Sequence, residues 1–156
     1  MTSFRQNIPV RFGHCDPAAM VYYPRYFEMI NGFVEDWFAV GLEASFPGLL
    51  YDKDIMVPTV HFTVNFKRAS HFGDRLTFKL VVARIGRTSC HLDIAASCRD
   101  ELRMTVRQVI VFIDKTKRTP VRIPVGIGRR MRRFVAASKR SERPGAGGRS
   151  SAITSA

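Results

Sequence analysis

Phe12-Gly13-His14-Cys15-Asp16-Pro17-Ala18-Ala19-Met20-Val21-Tyr22-Tyr23-Pro24-Arg25-Tyr26-Phe27 is the stretch on which the reading of this chain turns. Residues 6–12 before it alternate, with Ile8, Val10 and Phe12 on one side and Pro9 and Arg11 on the other. That pattern predicts a strand. Residues 13–19 read as a loop. Pro24 suits a first helical turn, where its missing N–H costs nothing. Phe27, Ile30, Val34, Trp37 and Phe38 then recur at helical spacing, and Tyr26, Phe33 and Val40 widen the stripe. Arg25, Glu28, Glu35 and Asp36 take the polar side, and Gly41 reads as the stop. So wide an aromatic face predicts a helix that is mostly covered.

After the helix, residues 42–57 are irregular, with Pro47-Gly48 as a turn. Four alternating runs follow. Val60, Phe62, Val64 and Phe66 form the first, Leu76, Phe78, Leu80 and Val82 the second. Leu92, Ile94, Ala96 and Cys98 form the third, and Leu102, Met104, Val106, Ile110 and Phe112 the fourth. Gly73-Asp74, Gly86-Arg87-Thr88 and Arg99-Asp100-Glu101 separate them as turns. Short links favour antiparallel neighbours. The compact solution is an α+β domain, one antiparallel sheet curled around one long buried helix. Residues 121–125 are a possible edge segment limited by Pro120 and Pro124. Residues 129–137 read as a short basic helix. We expect a folded domain over residues 1–137. Residues 138–156 form a basic, Ser/Gly-rich tail expected to be disordered.

The chain has 156 residues, enough for one domain with a real core. At 46% hydrophobic and 24% charged residues it falls in the soluble globular class. No apolar run approaches the ~20 residues of a membrane span, and the first residues lack the apolar core of a signal peptide. Cys15, Cys90 and Cys98 have no metal-type spacing, and their odd number suits free thiols. A cytoplasmic protein is expected. The formal net charge of +12 admits nucleic acid, anionic lipid or phosphorylated ligands as partners. Much of that charge sits near the end, in Arg129, Arg130, Arg132, Arg133, Lys139, Arg140, Arg143 and Arg149.

The strand–loop–helix around Cys15-Asp16-Pro17-Ala18-Ala19 and Tyr23-Pro24-Arg25-Tyr26 resembles that of the hot-dog-fold acyl-CoA thioesterases. Within them it is most similar to the 4-hydroxybenzoyl-CoA thioesterase family with an aspartate in this loop. The likeness continues through residues 60–67, Gly73-Asp74-Arg75-Leu76 and Gly86-Arg87-Thr88-Ser89. It implies the same architecture, dimers joined sheet edge to sheet edge and paired into homotetramers, and active sites at the dimer interface. Ala19 stands where the family has glycine. Asn31 stands where some aromatic-specific members carry aspartate, and it hydrogen-bonds without bringing charge.

The resemblance implies hydrolysis of an acyl-CoA to free acid and CoA, the acyl group being aromatic and 4-hydroxybenzoyl-like among the options. Asp16 becomes the base or the nucleophile. The N–H of Tyr23, at the helix N-terminus, polarises the thioester carbonyl; an oxyanion donor of this kind contributes about 3–4 kcal/mol. Tyr22, Phe27, Asn31, Val57 and His61 are the candidates for contact with the acyl group. Arg87, Thr88 and Ser89 are the candidates for the CoA phosphates, which suit a guanidinium and hydroxyls. No metal and no cofactor beyond the CoA of the substrate is expected.

Each residue also has a plainer reading. Asp16 before Pro17 is a common turn cap. Cys15 has no readable base partner and reads as a packed thiol. Arg87 can be a solvated turn residue, and an aromatic stripe is usually core. Two further enzyme readings compete, a hot-dog dehydratase and an acyl-carrier-protein thioesterase. The first calls for a histidine-based acid–base pair, and no strong His motif serves it. A non-enzymatic binder of nucleic acid through the basic tail is the third reading, disfavoured because no recognition module is visible.

Overall fold

The computed structural model describes residues 2–137; the predicted tail at 138–156 lies outside the described residues. Seven strands and two helices follow in chain order. Strand β1 is Phe4–Pro9, helix α1 Tyr23–Asp36, β2 Ile55–Met56, β3 Thr59–Phe66, β4 Arg75–Ile85 and β5 Ser89–Cys98. Strands β6 (Glu101–Val111) and β7 (Ile113–Asp114) and helix α2 (Val125–Met131) complete them. The main sheet has the order β1-β4-β5-β6-β3 with every pairing antiparallel. β2 and β7 pair separately.

Period-two alternation decides which face of the sheet is covered. Leu76, Phe78, Leu80 and Val82 of β4 are buried, as are Cys90, Leu92, Ile94, Ala96 and Cys98 of β5. Met104, Val106 and Ile110 continue that face on β6. α1 lies across it with Tyr26, Met29, Ile30, Phe33 and Val34 turned inward. The ring centroids of Phe33 and Phe78 are 5.3 Å apart, as are those of Phe4 and Phe33. Strand, helix, then strands around it is therefore the α+β arrangement the alternation predicts.

Five details differ from the sequence reading. β1 ends at Pro9, because the Val10 N–H turns to Asp74 O at 2.8 Å and a 3-10 turn, Phe12–His14, follows. Phe12 is accordingly 82% exposed instead of facing the core. Gly41 does not stop the helix in a left-handed turn. α1 runs on through a π turn, Trp37–Gly41, and Leu42 caps it. Glycine is required there for space, since a Cβ would stand 2.7 Å from Trp37 Cδ1. Val40 is exposed, so the covered stripe is narrower at that end. Finally, β3 pairs with β6 and not with its sequence neighbour β4. The link between them, residues 67–74, crosses the end of the sheet beside the Asp16 loop. The basic helix read over residues 129–137 instead spans Val125–Met131, and a 3-10 turn, Arg132–Phe134, follows it.

Candidate active site

The Asp16 loop is a closed clip. Cys15 and Val21 form an antiparallel bridge, the Asp16 N–H donates to Met20 O at 2.8 Å, and the Tyr22 N–H donates to His14 O at 2.9 Å. The chain reverses inside Asp16-Pro17-Ala18-Ala19-Met20, with the Ala19 N–H bonded to Asp16 O at 2.9 Å. Ala19 takes φ +58°, the left-handed region a Cβ resists. Glycine would sit there without strain.

A second loop braces the first. The Val21 N–H donates to Ser70 O and the Phe72 N–H to Ala19 O, both at 2.9 Å, and Met20 bridges His71. The bracing loop is itself anchored by Asp74, whose Oδ2 accepts the His71 N–H and Arg103 Nη1, each at 3.0 Å. Arg103 Nη1 also donates to Ala69 O. The His71 N–H, opposed by burial and aided by the Arg103 guanidinium, holds the Asp74 carboxyl below the usual carboxylate range. Sequence reading took Gly73-Asp74 only as a turn, and nothing in its spacing points to Arg103, 29 residues on.

Asp16 divides its two oxygens. Oδ1 accepts the Ala18 N–H at 2.9 Å and, at longer range, the Met20 N–H at 3.4 Å. This is the turn cap of the plainer reading, made within the loop itself. α1 is not capped by it: the N-cap is Tyr22, without a side-chain hydrogen bond. Oδ2 has no partner among the described residues, so one carboxylate oxygen is aimed by the loop's amides while the other is free for chemistry.

The clip also places the helix mouth. Tyr22, paired to His14, leads directly into α1. The Arg25 N–H bonds back to Tyr22 O at 2.8 Å and Pro24 has none to give. The Tyr23 N–H has no acceptor among the described residues. It is an orphan donor at the positive end of a helix dipole. The rings of Tyr22 and Tyr23 meet edge to face, 5.5 Å between centroids, and both are more than half exposed.

The neighbours of Asp16 offer no rival nucleophile. Burial and then the Asp16 charge push the Cys15 thiol up, so it stays protonated. His14 accepts the Arg11 N–H on Nδ1 at 2.9 Å, and burial and the Arg11 charge lower its pKa. It is a neutral ring engaged in the loop. Among the described residues no three His, Cys, Asp or Glu side chains cluster in a way that would hold a metal ion.

The other predicted site residues are scattered within one chain. Phe27 packs on Phe62 of β3 with centroids 5.4 Å apart, and Asn31 is exposed one turn further along α1. Val57 lines a separate apolar cavity of about 450 Å³ with Glu35, Phe46, Leu50 and Tyr51. Glu35 lies 12 residues beyond Tyr23, about 18 Å along the helix at 1.5 Å per residue. Val57 therefore does not join Asp16. Nor does His61, because alternation along β3 turns Phe62 to the helix and His61 to the outer face. There His61 Nε2 lies 3.1 Å from Thr63 Oγ1 and borders a groove with His91, Asp93 and Arg107. Arg87 and Thr88 lie in the turn after β4 and Ser89 opens β5, at the opposite end of β4 from the Asp16 loop.

The chain that carries this loop matches a family model over most of its length. Residues 10–131 fit the thioesterase-like superfamily. The chain belongs to that superfamily. Its architecture is the hot-dog fold. A 1,4-dihydroxy-2-naphthoyl-CoA hydrolase of Synechocystis is 24% identical over 128 residues, spanning 80% of this chain and 92% of that one. The enzyme of that name from Nostoc punctiforme is 27% identical over 125 residues, with 78% and 82% covered. Among solved structures, the 1,4-dihydroxy-2-naphthoyl-CoA thioesterase of Synechocystis superposes with a TM-score of 0.77 at 21% identity, covering 83% of this chain and 96% of that one. A 4-hydroxybenzoyl-CoA thioesterase mutant complexed with 4-hydroxybenzoyl-CoA gives 0.77 at 19% identity, covering 83% and 98%. At such identities the structural likenesses speak for the hot-dog fold of this superfamily member.

Proposed function

We propose that this chain hydrolyses an aromatic acyl-CoA to the free acid and CoA, with Asp16 as its catalytic carboxylate. The observation that carries this is the Asp16 clip: one oxygen held by two loop amides, while the other oxygen and the Tyr23 N–H of the adjoining helix have no partner among the described residues. The thioester oxygen is placed against the Tyr23 N–H, and its developing charge is stabilised there. As a base, Asp16 Oδ2 takes a proton from water while the water oxygen bonds to the carbonyl carbon. Collapse of the tetrahedral adduct breaks the C–S bond, and the sulfur leaves with the electron pair and regains a proton. As a nucleophile, Oδ2 itself bonds to the carbon, expels the thiolate and leaves an anhydride that water opens. Label found in the Asp16 carboxylate after one turnover in ¹⁸O-water identifies the anhydride route, with water opening it at the aspartyl carbon.

Two observations support the aromatic substrate. The relatives at 24% and 27% identity are named for a naphthoyl thioester. Asn31, exposed on the Phe27 side of α1, has an amide free to bond a ring hydroxyl. We assign the active form to dimers joined through β3, paired into tetramers, because β3 ends the sheet with one edge unpaired. Free thiols at Cys15, Cys90 and Cys98 suit the cytoplasm. No helix among the described residues is long and apolar enough to cross a membrane.

Thiol release from a panel of aromatic and aliphatic acyl-CoAs tests the reading. Wild type is expected to turn over aromatic thioesters with the highest kcat/KM. Asp16→Asn, which keeps the Oδ1 contacts, is expected to lose about 10²–10⁴-fold in kcat. Equal rates in the two proteins would overturn the role of Asp16.

A further inference from the structure

Phe12 and Phe72 stand on the two loops that hold Asp16, and both project into solvent. Phe12 is 82% exposed and Phe72 56%. Their rings meet edge to face, 6.0 Å between centroids, and neither enters the core. Pro17, Ala18 and Ala19 of the same loops are exposed as well. Together they make an apolar tip at the end of the sheet where residues 67–74 cross. A ring open to that degree projects from the molecule and lines no cleft. Single exposed apolar side chains are ordinary, but a contiguous apolar patch marks a contact surface.

The tip is rigid, and most of its amides are engaged. The Phe72 N–H donates to Ala19 O at 2.9 Å and the Gly73 N–H to Val10 O at 3.2 Å. The Ala18 N–H goes to Asp16 Oδ1 and the Ala19 N–H to Asp16 O, both at 2.9 Å. Pro17 has no N–H to satisfy. Burying an amide without a partner is unfavourable. Moving this tip out of water strands few donors, and no loop has to be ordered for it.

Cations surround the rings. Arg11 precedes Phe12, and Arg75, opposite Pro9 in the β1–β4 ladder, follows Phe72 by three residues. Lys67 opens the crossing segment, and Arg99 sits on the β5–β6 turn at the same end. All four are exposed, and none pairs with a carboxylate among the described residues. The acids nearby are mostly engaged. Asp74 pairs with Arg103, Glu101 with Arg103 and Arg68, and Glu28 with Arg25. Asp16 is held by its loop, which leaves Asp100.

Magnitude selects the partner. Two phenylalanine rings bury about 300–500 Å² together, well short of the roughly 800 Å² per partner of a stable protein interface. A lipid surface asks for less: a few aromatic side chains at the acyl boundary and cations over the headgroups. The four cations call for anionic headgroups.

We propose that Phe12 and Phe72 insert into the surface of an anionic lipid bilayer, with Arg11, Lys67, Arg75 and Arg99 over its headgroups. The contact is peripheral and reversible, and it lays the loops carrying Asp16 against the membrane. It stands independently of the thioesterase reading.

The full chain is sedimented with vesicles of phosphatidylcholine alone, or with phosphatidylserine as about a third of the lipid. Wild type is expected to favour the mixed vesicles, with binding that falls as salt rises. Phe12→Ser/Phe72→Ser is expected to lower the partition about 10- to 100-fold, and Arg11→Gln/Arg75→Gln about 10- to 30-fold. The control is Val125→Ser/Arg129→Gln, exposed on α2, which the Ile123 N–H ties to Arg87 O at the opposite end of β4. It is expected to bind as wild type does. Phe12→Trp gives a reading free of any folding defect. Trp37, the sole indole of the wild-type chain, is buried, so a change in emission reports the tip. That emission is expected to shift to the blue on mixed vesicles and to be quenched by bromine-labelled acyl chains. Wild type that ignores the mixed vesicles, a serine variant that binds as wild type, or an unmoved emission overturns the proposal. So does a loss of binding in the control alone, which assigns the contact to the basic C-terminal segment. Light scattering without lipid tests the other occupant. If Phe12→Ser/Phe72→Ser dissociates assembled wild type, the tip is a contact between copies and lipid docking fails.

Discussion

At Ala19 the loop demands a backbone that a side chain resists. φ +58° costs a non-glycine residue about 1–2 kcal/mol, while glycine loses about 0.4–1 kcal/mol through the freedom it adds to the unfolded chain. Ala19→Gly is therefore expected to stabilise by about 0.5–1 kcal/mol, a rise of roughly 2–4 °C in Tm, read by calorimetry. A fall in Tm would show that the left-handed conformation is not held in solution. The same residue explains why the motif was legible from sequence. Cys15-Asp16-Pro17-Ala18-Ala19 must reverse the chain within five residues, and few residue types do so. Asp16 could not be assigned a role from spacing, because its cap and its chemistry use different oxygens. Only coordinates separate Oδ1, bonded to Ala18 N–H, from the unpaired Oδ2.

Among the elements, the turn at Asp74 controls the clip without touching substrate. Asp74→Asn leaves the His71 N–H and Arg103 with a weaker acceptor, and the braces to Ala19 and Val21 loosen with it. A loss of about 1–3 kcal/mol at pH 7 is expected. The carboxyl's folded pKa lies below its unfolded one. Its contribution is thus complete above the unfolded value near ~4 and fades as pH falls through the folded value. Urea melts of wild type and Asp74→Asn are expected to differ at pH 7 and to converge as pH falls through the folded value. A constant difference would refute the charge-based account. Alternation found β3 to β6 because one face of each is packed on α1. It overran at Phe12, since a pattern of side chains does not reveal that the Val10 N–H leaves the ladder for Asp74 O. It missed the exchange of neighbours at β3 because strand order depends on where the 67–74 link crosses. Arg132 read as part of a basic run and Arg122 as part of an edge segment, because their meeting with Arg87 around one cavity is created by burial of Ile123 and Met131 at other points of the segment.

At the scale of the molecule, β3 leaves an open edge with Val60 59% and Phe66 49% exposed. Such an edge is stable in solution when another strand covers it. Light scattering is expected to give a dimer or larger for wild type. Val60→Lys is expected to shift it toward monomer and to reduce thioester hydrolysis in parallel. A monomeric wild type with full activity would refute that assembly as the active form. Stability is not uniform in proteins, and active-site loops often open well below the global transition. Here residues 19–21 are hydrogen-bonded to residues 70–72, and that segment is fastened to β6 through Arg103. The loop that carries Asp16 is thus stitched to the sheet, and heat has no cheap way to detach it. Thermal inactivation and loss of the fold should therefore coincide.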